Sequence, residues 1–326
     1  MPQALLPLPK TQTFISNDPF LLEGGSILPQ VEISYTTKGV LNADKSNVVW
    51  VFHALTGNAD PTQWWPGLIG THAIINLDKD FMICANVLGS CYGTTGPTDF
   101  TFPRISIRDM VSAHQLLKNH LDIQKIKLGI GGSLGGQQLL EWAVQEPSLF
   151  ENINLIATNA QHSPWGIAFN EAQRMALNNV DKSQGLAAAR AIAMLSYRHY
   201  NTFESTQKDE DQRLDDFSAS SYQQYQGFKL DKRFTNESYH YLSKAMDSHN
   251  VGRHGLSIKN VLQRIKSKTM IIGIDTDILF PIQEQQLLAD YIPNARLAII
   301  KSNYGHDGFL VETDQLNNYF KKFFYN

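Results

Sequence analysis

A chain of 326 residues, 42% apolar and 18% charged, has room for one large domain or for a domain with a sizeable insertion, and it lacks the composition of a disordered or fibrous protein. Its formal net charge of −3 argues against a general nucleic-acid binder. Two cysteines, Cys84 and Cys91, are too few for a disulfide scaffold, and the ten histidines form neither an H-E-x-x-H pair nor a Cys/His cluster, so no metal site is expected.

The chain opens on MPQALLPLPKTQTF, without a basic segment followed by an apolar core, which predicts no signal peptide. No apolar run approaches the roughly 20 residues that cross a bilayer, so a cytoplasmic protein with no membrane association is expected. Short apolar runs at 31–37, 48–53, 80–87, 126–132 and 153–158 read as strands, and two more follow at 269–274 and 296–301. Between them Ile107, Val111, His114, Leu117 and Leu121 recur at helical spacing, as do Leu139, Leu140 and Ala143. Strands apolar throughout and alternating with helices predict an α/β fold, its mostly parallel sheet covered on both faces. The alternation stops between about 162 and 255, where IAFNEAQRMAL, GLAAARAIAML and ESYHYLSKAMDSH are helical in pattern. The expected organisation is a core of 1–161 and 256–326 with a helical lid, 162–255, roofing the crevice beyond the strands' carboxyl ends.

Within GIGGSLGGQQLLEW, residues 129–142, five glycines surround Ser133 where a strand gives way to a helix. That is the context of a nucleophile elbow, and the run lacks the G-K-[ST] ending of a phosphate loop. A serine hydroxyl needs a base to take its proton and an acid to orient that base. In this kind of sheet the chain order is serine, acid, histidine. IIGIDTDILFP offers Asp275 and Asp277, which spacing alone does not separate, and His306 is the one histidine C-terminal to 254. A backbone donor for an oxyanion is expected in VFHALTGNAD, at the turn that begins with Leu55. His53 precedes the serine, against the expected order, and is read as structural. Cys84 and Cys91 are read as filling core and loop space, and GSCYGTTGP as pocket wall.

Taken together, HALTGNAD, WWPGLIG, ICANVLGSCYGTTGP, GGSLGGQQLLEWA, NEAQRMAL, YQGFKLDKRFTNESYHYLSKAMDSHNVGR, DTDILFP and YGHDGFL resemble the homoserine O-acyltransferase family of the α/β-hydrolase fold, from about residue 20 to the C-terminus. The resemblance implies a mostly parallel central sheet with helices on both faces and an inserted helical lid. It implies Ser133 as nucleophile, His306 as base and Asp277 as acid, with the N–H groups of Leu55 and Leu134 as the oxyanion hole. It further implies that Arg174 and Asp307 hold the amino-acid acceptor. The expected reaction passes an acyl group from an acyl-CoA, most simply acetyl-CoA, through an acyl-serine to L-homoserine on the way to methionine, with no other cofactor.

Within the family the alternatives are O-succinyl transfer or serine as acceptor. Outside it they are an esterase or thioesterase, or a binding protein without activity. Family members imply a homodimer through the lid helices. Two departures stand out: Leu134 replaces a common methionine, and the segment from Asn178 to Gly185 is short where relatives carry a tyrosine near the acceptor.

Overall fold

The structure, a computed structural model, describes residues 10–179 and 184–324. Its spine is one sheet of β1 (Gln12–Ser16), β2 (Val31–Lys38), β3 (Val48–Phe52), β4 (Phe81–Ala85), β5 (Ile126–Gly132), β6 (Phe150–Ile156), β7 (Lys268–Ile274) and β8 (Ala295–Ile300). The spatial order is β1-β2-β4-β3-β5-β6-β7-β8. β1 and β4 both run antiparallel to β2, and from β4 through β8 every pairing is parallel. The core helices are α1 (Ile107–His120) and α2 (Leu134–Gln145), whereas α3 (Pro164–Asn179), α4 (Gly185–Tyr197), α5 (Tyr200–Thr206), α6 (Ser218–Asp231) and α7 (Asn236–Asp247) lie between β6 and β7. The core closes with α8 (Ile282–Tyr291) and α9 (Thr313–Phe324).

Central β3 shows why the strands are apolar throughout. Val48, Trp50 and Phe52 join an apolar cluster with Val111 and Leu117 of α1 and Trp142 of α2, while Val49 and Val51 face the opposite cluster with Leu316 and Phe320 of α9. The strand period of two therefore serves two cores, and burying each of these side chains contributes about 1.5–3 kcal/mol. Helix α1 starts where it does because Ser106 and Asp109 form a capping box, the Asp109 carboxylate accepting the Ser106 N–H at 2.8 Å.

The two neighbours of β3 in the sheet are β4 and β5, on opposite sides, so the connections diverge there and leave a crevice at the strands' carboxyl ends. Leu55 follows β3, Ser133 follows β5, Asp277 follows β7 and His306 follows β8, all at that end.

Some elements differ from the expectation. β1 is an edge strand, mostly exposed, and carries no apolar run. β6 starts at Phe150, three residues before the expected run, where Glu151 and Asn152 hide its first residues from an apolar pattern. Helix α6, SASSYQQYQGFKLD, buries only Gly227 and Leu230 and has no apolar stripe to read. Beyond β6 the chain leaves and rejoins the core at one place: Gln161 bridges Asn250, and the Ala160 carbonyl accepts the Val251 N–H at 3.0 Å. The short connection between Asn178 and Gly185, and the N-terminal run read for a signal peptide, fall largely outside the described residues. Among those described, no helix is long and apolar enough to cross a membrane, and no group of three His, Cys, Asp or Glu side chains could hold a metal.

Candidate active site

Ser133 is the hinge between β5 and α2, and its backbone sits at φ 56° and ψ −125°. An L-residue there is strained by about 1–3 kcal/mol, and the surroundings must hold it. Its N–H donates to the Ile156 carbonyl at 3.0 Å, and its own carbonyl accepts from the Gln137 N–H at 3.1 Å and the Thr158 hydroxyl at 3.0 Å. The flanking glycines serve space rather than backbone freedom. A methyl at Gly131 would overlap the Gly135 carbonyl, and one at Gly135 would overlap the carbonyl of Phe52. The strained conformation is thus at the serine, and the glycines let α2 lie directly against β3 and β5. Leu134 is the first residue of α2, so its N–H has no partner inside the helix.

Asp277 and His306 meet across the ends of β7 and β8. The Asp277 Oδ2 lies 2.7 Å from the His306 Nδ1, while its Oδ1 accepts the N–H groups of Leu279 and Phe280 at 2.8 and 2.9 Å. Asp275 is exposed and turned away, its Oδ1 accepting the Ser302 N–H at 3.0 Å. The two aspartates that spacing left equivalent thus have different partners. The carboxylate on Nδ1 keeps the proton there and leaves the Nε2 lone pair free. Burial pushes the His306 pKa down, but the charge of Asp277, its hydrogen bond and the charge of Asp307 outweigh burial, and the net direction is up. Phe280 stacks on the imidazole at 5.0 Å between centroids.

His53 behaves differently. Burial pushes its pKa down to about 4, so the ring is neutral. It accepts the Val87 N–H on Nε2 at 3.1 Å, which leaves its proton on Nδ1 to donate to the Ala54 carbonyl at 2.8 Å. It lies in the loop that leads to Leu55, away from any role as a base.

Ser133, His306, Asp307 and Leu55 line one crevice with Thr56, Trp64, Arg190, Tyr197 and Arg233. Asp307 is paired with Arg198, Nε to Oδ2, at 3.1 Å. Arg190 places its guanidinium 5.3 Å from the centre of the Tyr197 ring. Arg233 donates to the Thr56 carbonyl at 2.6 Å and to the Tyr92 hydroxyl at 2.9 Å. Among the described residues neither Arg190 nor Arg233 has a carboxylate within ion-pair distance.

Arg174, expected to hold the acceptor, is not among the residues that line this crevice. Only 2% exposed, its guanidinium is taken up by Asp247 of α7 at 2.5 Å, Glu171 at 2.6 Å and the Ser243 hydroxyl at 3.1 Å. Asn170 donates to the other Asp247 oxygen at 2.8 Å, so the cluster bolts α3 to α7. With four of its five N–H donors engaged, the guanidinium has one left for a ligand. Arg174→Ala is expected to lower unfolding stability by about 3 kcal/mol in urea titration, the low end for a broken buried pair, because Asp247, partly withdrawn from solvent, is left without its cation. The KM for a crevice ligand should stay within a fewfold; unchanged stability with a large rise in KM would return Arg174 to the site.

The crevice cations that sequence reasoning missed differ in legibility. Arg190 and Tyr197 are seven residues apart, two turns on one face of α4, a signal present in GLAAARAIAMLSYR. Arg233 reaches the Thr56 loop only through the tertiary fold.

A family model for the alpha/beta hydrolase fold matches residues 47–313. A homoserine O-acetyltransferase of Cyclobacterium marinum is 46% identical, an alignment spanning 96% of this chain and 95% of the relative. The solved homoserine O-acetyltransferase of Staphylococcus aureus superposes with a TM-score of 0.86 at 27% identity, covering 96% of this chain and 94% of that one. Esterase E22 superposes equally well, TM-score 0.86 over 96% of this chain and 99% of its own, at 22% identity, a likeness of fold alone.

Proposed function

The chain belongs to the homoserine O-acetyltransferase family of the alpha/beta hydrolase fold, and on that premise we propose that it moves an acetyl group from acetyl-CoA to the hydroxyl of L-homoserine, a step toward methionine, through an acetyl-serine at Ser133. What carries this is one crevice holding Ser133, the Asp277–His306 pair beside it, and both signs of charge, Arg190 and Arg233 with Asp307.

His306 Nε2 takes the Ser133 proton as the hydroxyl oxygen attacks the thioester carbonyl. The N–H groups of Leu55 and Leu134 receive the oxyanion. On collapse the C–S bond breaks, and His306 returns its proton to the departing CoA thiolate. The homoserine hydroxyl then attacks the acetyl-serine with His306 again as base, and the serine leaves with the proton back on its oxygen. The acceptor is a zwitterion. Arg190 suits its carboxylate, since a planar guanidinium pairs with a carboxylate in two parallel bonds. Asp307 suits its ammonium. The helices α3 to α7 act as a lid, and a covered site slows hydrolysis of the acetyl-serine.

The test is product analysis with acetyl-CoA or succinyl-CoA against L-homoserine, L-serine and buffer alone. O-Acetylhomoserine is expected as the fastest-formed product. Arg190→Ala should raise the KM for homoserine about 30-fold or more, the equivalent of about 2 kcal/mol, with the acetyl-CoA KM nearly unchanged. CoA released as fast in buffer as with homoserine would make the protein a hydrolase.

A further inference from the structure

Two backbone N–H groups can share one oxyanion only if their separation is held within a few tenths of an ångström, and here they come from different segments. Leu55 lies on the loop after β3, and Leu134 begins α2. A side chain joins those two segments. Gln138, fully buried on α2, puts its amide nitrogen 3.2 Å from the Leu134 carbonyl and 3.3 Å from the His53 carbonyl. Its amide oxygen lies 3.1 Å from Nε2 of His114.

The orientation of this carboxamide is forced. Two carbonyls can only accept, so the NH2 faces them and the oxygen faces His114. His114 must then donate from Nε2, and as a neutral ring it has only that one proton to give. Burial pushes its pKa down to about 4, which keeps it neutral. Its ring is caged, stacked on Trp142 at 6.0 Å between centroids and met edge-on by Trp50 and Phe52. An aromatic cage thus fixes an imidazole, the imidazole fixes an amide, and the amide fixes two main-chain segments.

The effect reaches the Leu55 N–H through peptide geometry. The Ala54 carbonyl, in the same planar unit as that N–H, accepts from the Gly57 N–H at 2.9 Å and from the His53 Nδ1 at 2.8 Å. In a trans peptide C=O and N–H point opposite ways, so pinning the carbonyl aims the N–H outward. Gln138 holds the carbonyl immediately before this unit. It therefore ties the root of the Leu55 loop to the first turn of α2.

We propose that Gln138, held by His114, is a positioning residue that sets the separation of the Leu55 and Leu134 donors; this rests on the assignment of Ser133 as nucleophile. Gln138→Met keeps length and bulk and removes the bridge. His114→Phe keeps the ring in its cage and removes only the donor that orients the amide. Both are tested with p-nitrophenyl acetate, which reads the acylation of Ser133 without CoA or an amino acid. Competent sites are counted by exhaustive fluorophosphonate labelling and intact-mass measurement, so misfolded protein drops out of the rate.

Per competent site, Gln138→Met should release nitrophenolate tenfold or more slowly than wild type, and His114→Phe two- to fivefold more slowly. The ester KM should stay within about threefold, and the pH midpoint should not move, because the Asp277–His306 pair is untouched. A Gln138→Met rate within twofold of wild type would overturn the proposal. So would a slowed rate with a shifted pH midpoint, which would mean that Gln138 acts through the histidine. Wild type that neither releases nitrophenolate nor is labelled at Ser133 would remove the nucleophile assignment, and the proposal with it.

Discussion

Ser133→Ala is expected to stay unmodified when mixed with acetyl-CoA, while the wild-type chain gains one acetyl group. In intact-protein mass spectrometry the wild-type adduct should persist in buffer and clear rapidly on adding L-homoserine. Removing the nucleophile of a serine–histidine–acid site costs on the order of 10⁶-fold in turnover, because the three groups act as a unit. The substitution is clean in this fold. The turn is held by backbone bonds, the Ser133 N–H to Ile156 and its carbonyl to Gln137 and Thr158, and none of them involves the hydroxyl. Alanine has a Cβ like serine and meets the same strain at φ 56°. Lost activity in a variant with wild-type stability therefore reports chemistry. Retention of the adduct in Ser133→Ala would place the acyl group elsewhere. An adduct cleared by buffer as quickly as by homoserine would leave α3 to α7 without the proposed role in excluding water.

Legibility from sequence followed the range of the forces involved. The apolar runs of β3, β5 and β7 announce themselves because parallel strands buried on both faces need continuous apolar residues. The elbow was legible because its demand is local: glycines where α2 must touch β3 and β5, and one serine between them. The aspartate that meets His306 was half legible. Spacing left Asp275 and Asp277 equal, and what separates them is the position of His306 after a later strand. The partners of Arg174 were not legible because a basic residue in a helix says nothing of what it will meet; Asp247, 73 residues on, takes one of its donors. Arg233 and Gln138 were invisible for the converse reason. Each acts on a main-chain carbonyl, at Thr56 or His53, and no side-chain pattern records where a carbonyl ends up.

Asp277→Asn should cut turnover by about 10⁴-fold, the cost seen when the orienting acid of such a site becomes an amide. The local hydrogen bonds say why. One oxygen of Asp277 accepts the N–H groups of Leu279 and Phe280, at 2.8 and 2.9 Å, and the other faces His306 at 2.7 Å. Asparagine has a single oxygen, and the two backbone donors claim it. Its NH2 is then left facing Nδ1, which must turn a lone pair toward it, and the proton moves to Nε2, where the free lone pair of a base is needed.

The pH dependence should change with the rate. In wild type the charge and hydrogen bond of Asp277, aided by Asp307, overcome burial and raise the His306 pKa above its ordinary 6.5. His306 must be neutral to act as a base, so kcat/KM should rise with pH through a midpoint above 6.5. In Asp277→Asn the largest raising influences are gone while burial remains, so the midpoint should move to lower pH even as the plateau collapses. Asp275→Asn should stay within a fewfold of wild type at every pH, since that exposed side chain can still accept from the Ser302 N–H through its remaining oxygen. Rate–pH profiles of the two folded variants decide the assignment. If Asp275→Asn is the more damaging, or if Asp277→Asn leaves the midpoint in place, Asp277 is not the group that orients the base.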